Sequence, residues 1–154
     1  MADELPAAPR EDGDHIIVKS VTRAGTPDVN GNVWPAEIFA KEIEEMRRRP
    51  VRVTLEYRQG PEHTLGATVP GKASLVDNCL EFAIQPVNDE KRAQLLDLFK
   101  NQRYAIGHCV EATHSPQPTP QGGKQVVLDA RFRLVSFGVF PDPYAQKEAA
   151  CATH

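Results

Sequence analysis

Short runs in which hydrophobic and polar residues alternate recur along the chain, and this alternation predicts β-strands. The predicted strands are residues 15–22, 51–57, 65–69, 73–76, 80–84, 104–112 and 125–140. Two turn-forming pairs, Pro70-Gly71 and Asp77-Asn78, separate the middle strands. The last run has apolar residues on both sides, so we expect a long strand that is bent or buried on both faces.

Two segments have the spacing of amphipathic helices. The first follows Pro35, which suits the first turn of a helix, and ends before Pro50. Its predicted buried positions are Ile38, Phe39, Ile43 and Met46. The second follows Asn88, a residue type that caps helices. Its predicted buried positions are Ala93, Leu95, Leu96 and Phe99.

Short, largely antiparallel strands with two main helices predict an α+β fold, a partly closed and mostly antiparallel β-barrel. We expect one domain over residues 15–145. Residues 1–14 and 146–154, which are polar and rich in Ala, are predicted to be flexible arms. Residues 113–124, rich in Pro and Gly, are predicted to be a mobile loop within the domain.

Composition and charge argue against several classes of function. A net charge of -3 on 154 residues gives no footprint for nucleic acid, so we expect no specific nucleic-acid partner. The chain lacks both a bilayer-spanning apolar run and the parts of a signal peptide, which predicts a cytosolic protein with no membrane partner. The three cysteines have no metal-ligand spacing and no phosphate-binding glycine loop is present, so we expect neither a metal nor a cofactor.

Residues 27–46 carry the most specific motif in the chain. They read P-D-V-N-G-N-V-W-P-A-E and continue into the first predicted helix. This segment resembles the N-x-N-G-R-x-Y-P segment of the prohead (capsid assembly) proteases of tailed bacteriophages. Further pieces that resemble the family follow in the same order, at residues 54–58, 80–84, 95–101, 105–110 and 131–143. The resemblance implies the fold shared with herpesvirus assembly proteases, a β-barrel decorated by helices.

The catalytic residues of that family are not preserved in this chain. The resemblance places the family's histidine at Tyr57 and its serine at Gly107, or at Ala105 after a small shift of alignment. Gly138 stands where the family pattern has an aspartate. A hydroxyl nucleophile needs a base within hydrogen-bond reach, and glycine and alanine offer no nucleophile. The resemblance therefore implies a protease fold without hydrolysis, a pseudoenzyme.

An alternative catalytic pair remains open. Cys109 lies beside the lost serine, and His63 or His114 is a candidate base for it. The adjacent His108 is predicted to point to the opposite face of the strand from Cys109, which excludes a direct pair between them. A buried, inert cysteine is the simpler interpretation of Cys109.

A capsid-associated role follows as the leading hypothesis. It describes a decoration or cement protein of the virion, assembled in the host cytoplasm and present in repeated copies or as a homo-oligomer, with the major capsid protein as its partner. Alternatives are an active maturation protease that uses Cys109 and a non-catalytic regulatory partner of a separate protease. The candidate interaction residues are Trp34, for which a packing role is the stronger interpretation, and Pro116, Pro118 and Pro120 of the predicted loop.

Overall fold

The structure is a computed structural model that describes residues 9–26, 32–58, 60–111, 117–118, 125–126 and 133–142. At residues 32, 109–111, 117–118, 125–126 and 133 the description is limited to the backbone. Within these ranges, no helix is long and apolar enough to cross a membrane.

In the part of the chain that the structure describes, ten strands make up two sheets. In chain order they are β1 (Arg10–Asp12), β2 (His15–Arg23), β3 (Asn32–Val33), β4 (Arg52–Leu55), β5 (Thr64–Val76), β6 (Cys79–Pro86), β7 (Tyr104–Glu111), β8 (Gln117–Pro118), β9 (Gln125–Val126) and β10 (Arg133–Pro141). The larger sheet has the order β1-β2-β6-β5-β4-β10-β7, and the smaller has the order β3-β9-β8. In the larger sheet every neighbouring pair is antiparallel except β10 with β4. The sheet is not closed, which confirms the prediction of an α+β fold with a mostly antiparallel, incomplete barrel.

Two helices and one short 3-10 helix accompany the sheets. They are α1 (Ala36–Arg48), the 3-10 helix (Pro61–His63) and α2 (Asp89–Asn101). Pro35 occupies the N-cap of α1, one position before the predicted one, and Arg49 is extended because it precedes Pro50. The Asn88 side chain accepts a hydrogen bond from the Lys91 backbone N–H at 2.8 Å, so Asn88 caps α2 as predicted.

The core lies between the helices and one face of the larger sheet. Both helices and six of the strands contribute buried side chains to it, and Phe82 of β6 stacks on Phe137 of β10 with ring centroids 4.3 Å apart. The apolar face predicted for α1 is confirmed at Ile38, Phe39 and Met46. The largest fully buried side chains are Phe39, Phe82, Phe137, Ile16, Met46, Leu65, Leu80, Ile84, Leu95, Ile106, Leu134 and Glu42.

Four details of the sequence prediction are wrong. β5 is one strand and not two, because its residues pair with β6 on both sides of Pro70-Gly71, which is absorbed as a bulge. The predicted strand 125–140 is not a single strand, because β9 joins the smaller sheet while β10 pairs with β4 and β7. In α2 the prediction holds for Leu95, which is buried, and for Leu96 and Phe99, which are partly buried against the core, but Ala93 is exposed and the buried Leu98 was not predicted. Residues 10–12, assigned to the flexible arm, form β1.

Other expectations meet the described residues only in part. Within the predicted loop 113–124, Gln117–Pro118 form β8 and pair with β9, which places Pro118 in a strand and not in a loop. Pro116 and Pro120 lie outside the described residues, as do residues 1–8 of the predicted N-terminal arm and residues 146–154 of the predicted C-terminal tail.

Candidate functional site: a tyrosine over a glycine pair

The two glycines that the resemblance singled out are direct neighbours in the larger sheet. Gly107 of β7 pairs with Gly138 of β10, and Gly138 also pairs with Thr54 of the parallel strand β4. Because β4 ends at Leu55, Tyr57 follows in the next turn and its side chain lies over the Gly107–Gly138 pair. Three positions separated by up to 81 residues in the sequence therefore meet at one place.

The ring of Tyr57 fills the space that a side chain at Gly138 would occupy, and the Phe140 ring with the Tyr57 hydroxyl fills the space at Gly107. A Cβ atom built on Gly138 would lie 2.5 Å from Cδ1 and 2.5 Å from Cζ of Tyr57. A Cβ atom built on Gly107 would lie 2.8 Å from Cε1 of Phe140 and 3.1 Å from the Tyr57 hydroxyl. These separations are far below van der Waals contact, so neither strand has room for a larger residue while Tyr57 and Phe140 keep their positions.

Tyr57 is held in place by its backbone and by its hydroxyl group. Glu56 and Tyr57 have positive φ angles of 50° and 60°, a conformation that costs a non-glycine residue roughly 1–3 kcal/mol. The Tyr57 hydroxyl donates a hydrogen bond to the His108 carbonyl oxygen at 3.3 Å. Its ring stacks on Phe140 with centroids 5.9 Å apart. The contacts over the glycine pair thus stabilise a locally unfavourable turn.

The arrangement has the chemistry of a packing contact. The described side chains directly over Gly107 and Gly138 are the phenol of Tyr57 and the ring of Phe140. A phenol is a poor general base at neutral pH, and a phenylalanine ring takes no part in proton transfer. An aromatic ring that covers glycines on a sheet replaces the side-chain contacts that those glycines cannot make.

On the opposite face of β7, a histidine and a glutamate form a buried pair. His108 Nδ1 lies 2.5 Å from Glu42 Oε2 of α1, and the two side chains are 1% and 0% exposed. His108 Nε2 and Glu42 Oε1 are also buried, and neither has a hydrogen-bond partner among the described residues. Buried polar atoms without a partner are uncommon in native proteins, which marks this pair as the most unusual polar feature of the described core.

Aromatic rings surround the imidazole of His108. Trp34 stacks on it with centroids 5.5 Å apart, and Phe39 and Phe137 approach it at 5.3 Å and 5.7 Å. Trp34 also stacks on Phe39, and it is only partly exposed. Trp34 thus has a packing role, and its proposed role as an interaction residue stays a prediction.

The alternative catalytic residues are not brought together by any described contact. The imidazole of His108 turns to Glu42, and His63 lies in the 3-10 helix with its Nε2 3.4 Å from Glu62 Oε1. The side chain of Cys109 and the whole of His114 lie outside the described residues. Cys79 is almost fully buried, and burial raises the pKa of its thiol, which disfavours the reactive thiolate. Among the described residues, no group of three or more His, Cys, Asp or Glu is placed to hold a metal ion.

Sequence reasoning missed Glu42, which holds the His108 imidazole. A signal for it exists, because Glu42 lies four residues after Ile38 and four before Met46 and therefore shares their helical face. A glutamate within an apolar stripe is rarely buried without a partner, so its position alone predicts a polar residue opposite α1.

Comparisons with known proteins agree with this architecture. No model of a known protein family matches the sequence, and no curated protein matches it. Among solved structures, the capsid assembly protease of bacteriophage T4 matches with a TM-score of 0.65 and 11% sequence identity. The match covers 91% of this chain and 92% of the phage protein, so the two folds correspond over nearly their whole length. The chain described here therefore has a prohead-protease-like fold.

Proposed function

We propose that this protein is a structural component of a bacteriophage capsid, a decoration or cement protein built on a protease fold that no longer cleaves peptides. The likeness to a phage capsid assembly protease supports the association with capsids. The resemblance places the family's histidine at Tyr57 and its serine at Gly107, and the lack of a base and a nucleophile there supports the absence of hydrolysis.

One observation carries the proposal. The Tyr57 ring lies over the Gly107–Gly138 pair, at the positions where the resemblance puts the base, the nucleophile and the aspartate. A serine at Gly107 would meet Phe140 and Tyr57 before it reached a base. Because Tyr57 also bonds to the His108 carbonyl, its ring contributes to the fold at the place where a protease needs open space for a substrate.

The partner in this proposal is the major capsid protein, which the decoration protein contacts in repeated copies. The open sheet ends in β1 and β7; β7 lies against β2, whereas β1 is exposed along its whole length. Terminal strands of a sheet offer backbone groups to which a second chain can add. This supports assembly into a continuous shell layer or a homo-oligomer, on virions that form in the host cytoplasm.

Purified virions should contain this protein in amounts comparable with the major capsid protein. Quantitative mass spectrometry of particles before and after capsid maturation measures the ratio. A cement protein persists through maturation because it stabilises the finished shell. Its absence from mature particles would contradict the proposal, and its recovery only in complex with a separately encoded protease would favour a regulatory partner instead.

The wild-type protein should leave capsid and scaffold chains intact. The alternative, a maturation protease that uses Cys109 and His63, is kept open because the similar solved structure is itself a protease. Incubation of the phage's capsid and scaffold proteins with wild-type protein and with Cys109→Ala separates the two functions. Cleavage by wild type that Cys109→Ala removes would establish the protease, and the phage's own protease acting on the same chains serves as the positive control.

A further inference from the structure

We propose that helix α1 and its C-cap residue Arg49 fix the register in which strand β7 pairs with β10, through two polar contacts that we call the register lock. In the first, Glu42 binds the His108 side chain of β7. In the second, Arg49 Nη2 donates a hydrogen bond to the Leu134 carbonyl oxygen of β10 at 2.9 Å. The inference concerns how this chain selects one pairing of strands, and it does not depend on the proposed capsid role.

The strand β7 needs such a device because its apolar residues specify its register weakly. Among the described residues, β7 pairs by hydrogen bonds with β10 alone and lies against β2 without such pairing. The pairing with β10 shifts register at a bulge between Leu134 and Ser136. A strand with small residues such as Ala105 and Gly107 specifies its register weakly.

A slip by two residues would keep the same faces of β7 turned inward and outward. It would put Ile106 or Val110 in the place of His108, opposite Phe137. Either apolar residue suits a position beside Phe39 and Phe137, so hydrophobic packing on this face of β7 does not exclude the slipped registers. Glu42 does exclude them, because its fully buried carboxylate would then face an apolar side chain.

The two contacts of the lock lie on opposite sides of the bulge. His108 pairs with Phe137 on one side, and Leu134 pairs with Val110 on the other. Arg49 is the extended C-cap residue of α1, and its backbone N–H still bonds to the Glu45 carbonyl oxygen, so the end of the helix positions it. The helix and its C-cap residue therefore contact the paired strands on both sides of the bulge.

The correct register has a consequence at the glycine pair. Only when His108 faces Glu42 does Gly107 lie opposite Gly138 beneath Tyr57. A slip by two residues would bring Ala105 or Cys109 to that position and force a Cβ atom against the aromatic rings. Glu42 is thus a positioning residue for the surface on the other face of β7.

Nuclear magnetic resonance of the full-length chain tests the lock. In wild type we expect one set of β7 amide signals and an Overhauser contact between the backbone protons of Gly107 and Gly138. In the apolar variant Glu42→Leu/His108→Leu, we expect doubled β7 signals, or β7 amides that exchange about tenfold faster relative to those of β5 than in wild type. A single set of signals with the wild-type ratio of exchange rates would overturn the proposal.

Two further variants separate register from stability. Val53→Ala, a core truncation in β4, should weaken protection of β5 and β7 in parallel and leave the signals single. If the apolar variant also loses amide protection in β5 and β7 to the same extent, and its β7 signals stay single, the register lock is overturned. If Glu42→Leu/His108→Leu does not fold, Glu42→Gln replaces it in the same measurement. Faster amide exchange confined to β7 would then support the register lock. An unchanged ratio of β7 to β5 exchange rates would reject it.

Discussion

Replacing Glu42 with leucine is expected to lower the free energy of unfolding by roughly 1–3 kcal/mol, because removing one partner of a buried hydrogen-bonded pair leaves the other desolvated and unpaired. The His108 imidazole, 1% exposed and enclosed by aromatic rings, has no route to water that would compensate. The loss is a substantial part of the total stability of a domain, about 5–15 kcal/mol. Urea unfolding followed by circular dichroism measures it.

A neighbouring glutamate provides the control. Glu44 lies on the same helix, its side chain is 52% exposed, and its ion pair with Arg47 is 3.3 Å long. Glu44→Leu makes the same chemical change with nearly the same helix propensity, and it should shift stability by no more than about 0.5 kcal/mol. Equal losses in Glu42→Leu and Glu44→Leu would contradict a special role for the buried pair.

Replacing His108 together with Glu42 tests whether the cost arises from the unpaired polar group. Glu42→Leu/His108→Leu removes both polar groups, so the double variant should recover much of the stability that either single change loses, because no buried polar group is then left without a partner. The same double variant is expected to lose its unique β7 register. Relative to the single variants, the double variant should therefore be more stable and yet lose its unique β7 register. A general packing defect would lower stability and weaken the register together.

Local patterns in the sequence predict most of the larger sheet. Alternation in residues 15–22 and 80–84 marks β2 and β6, and the apolar stripe before Pro50 marks α1. The pattern fails where long-range pairing overrides a local signal. Pro70-Gly71 reads as a turn, yet β6 pairs with β5 on both sides of it, and Gly71 takes the positive φ of 82° that the bulge requires.

The candidate site was predictable in its residues but not in its geometry. The resemblance identified Tyr57, Gly107 and Gly138, whereas their meeting depends on β10 pairing with β4 on one side and β7 on the other. The Glu42–His108 contact depends on where α1 lies over the sheet, and no periodicity within a single segment contains that information.

Replacing Gly138 with alanine is expected to lower the free energy of unfolding by about 1–3 kcal/mol in the wild-type background, as overpacking does. Gly138 does not have a positive φ, so its backbone accepts alanine, and the cost arises from the Tyr57 ring alone. In the absence of that ring, a glycine-to-alanine change in a compatible conformation should stabilise the protein by about 0.4–1 kcal/mol, because it restricts the unfolded chain. The sign of the effect therefore depends on Tyr57.

A double-mutant cycle isolates that dependence. Urea unfolding of wild type, Gly138→Ala, Tyr57→Ala and the double variant should show Gly138→Ala destabilising next to tyrosine and neutral or stabilising next to alanine. Tyr57→Ala keeps the positive φ at residue 57, so the cycle removes the ring without relieving the backbone. An equal cost of Gly138→Ala in both backgrounds would show that the Tyr57 ring does not occupy the space above Gly138. The steric argument for a structural role would then rest on Gly107 alone, where the Phe140 ring lies nearest to the place of a side chain.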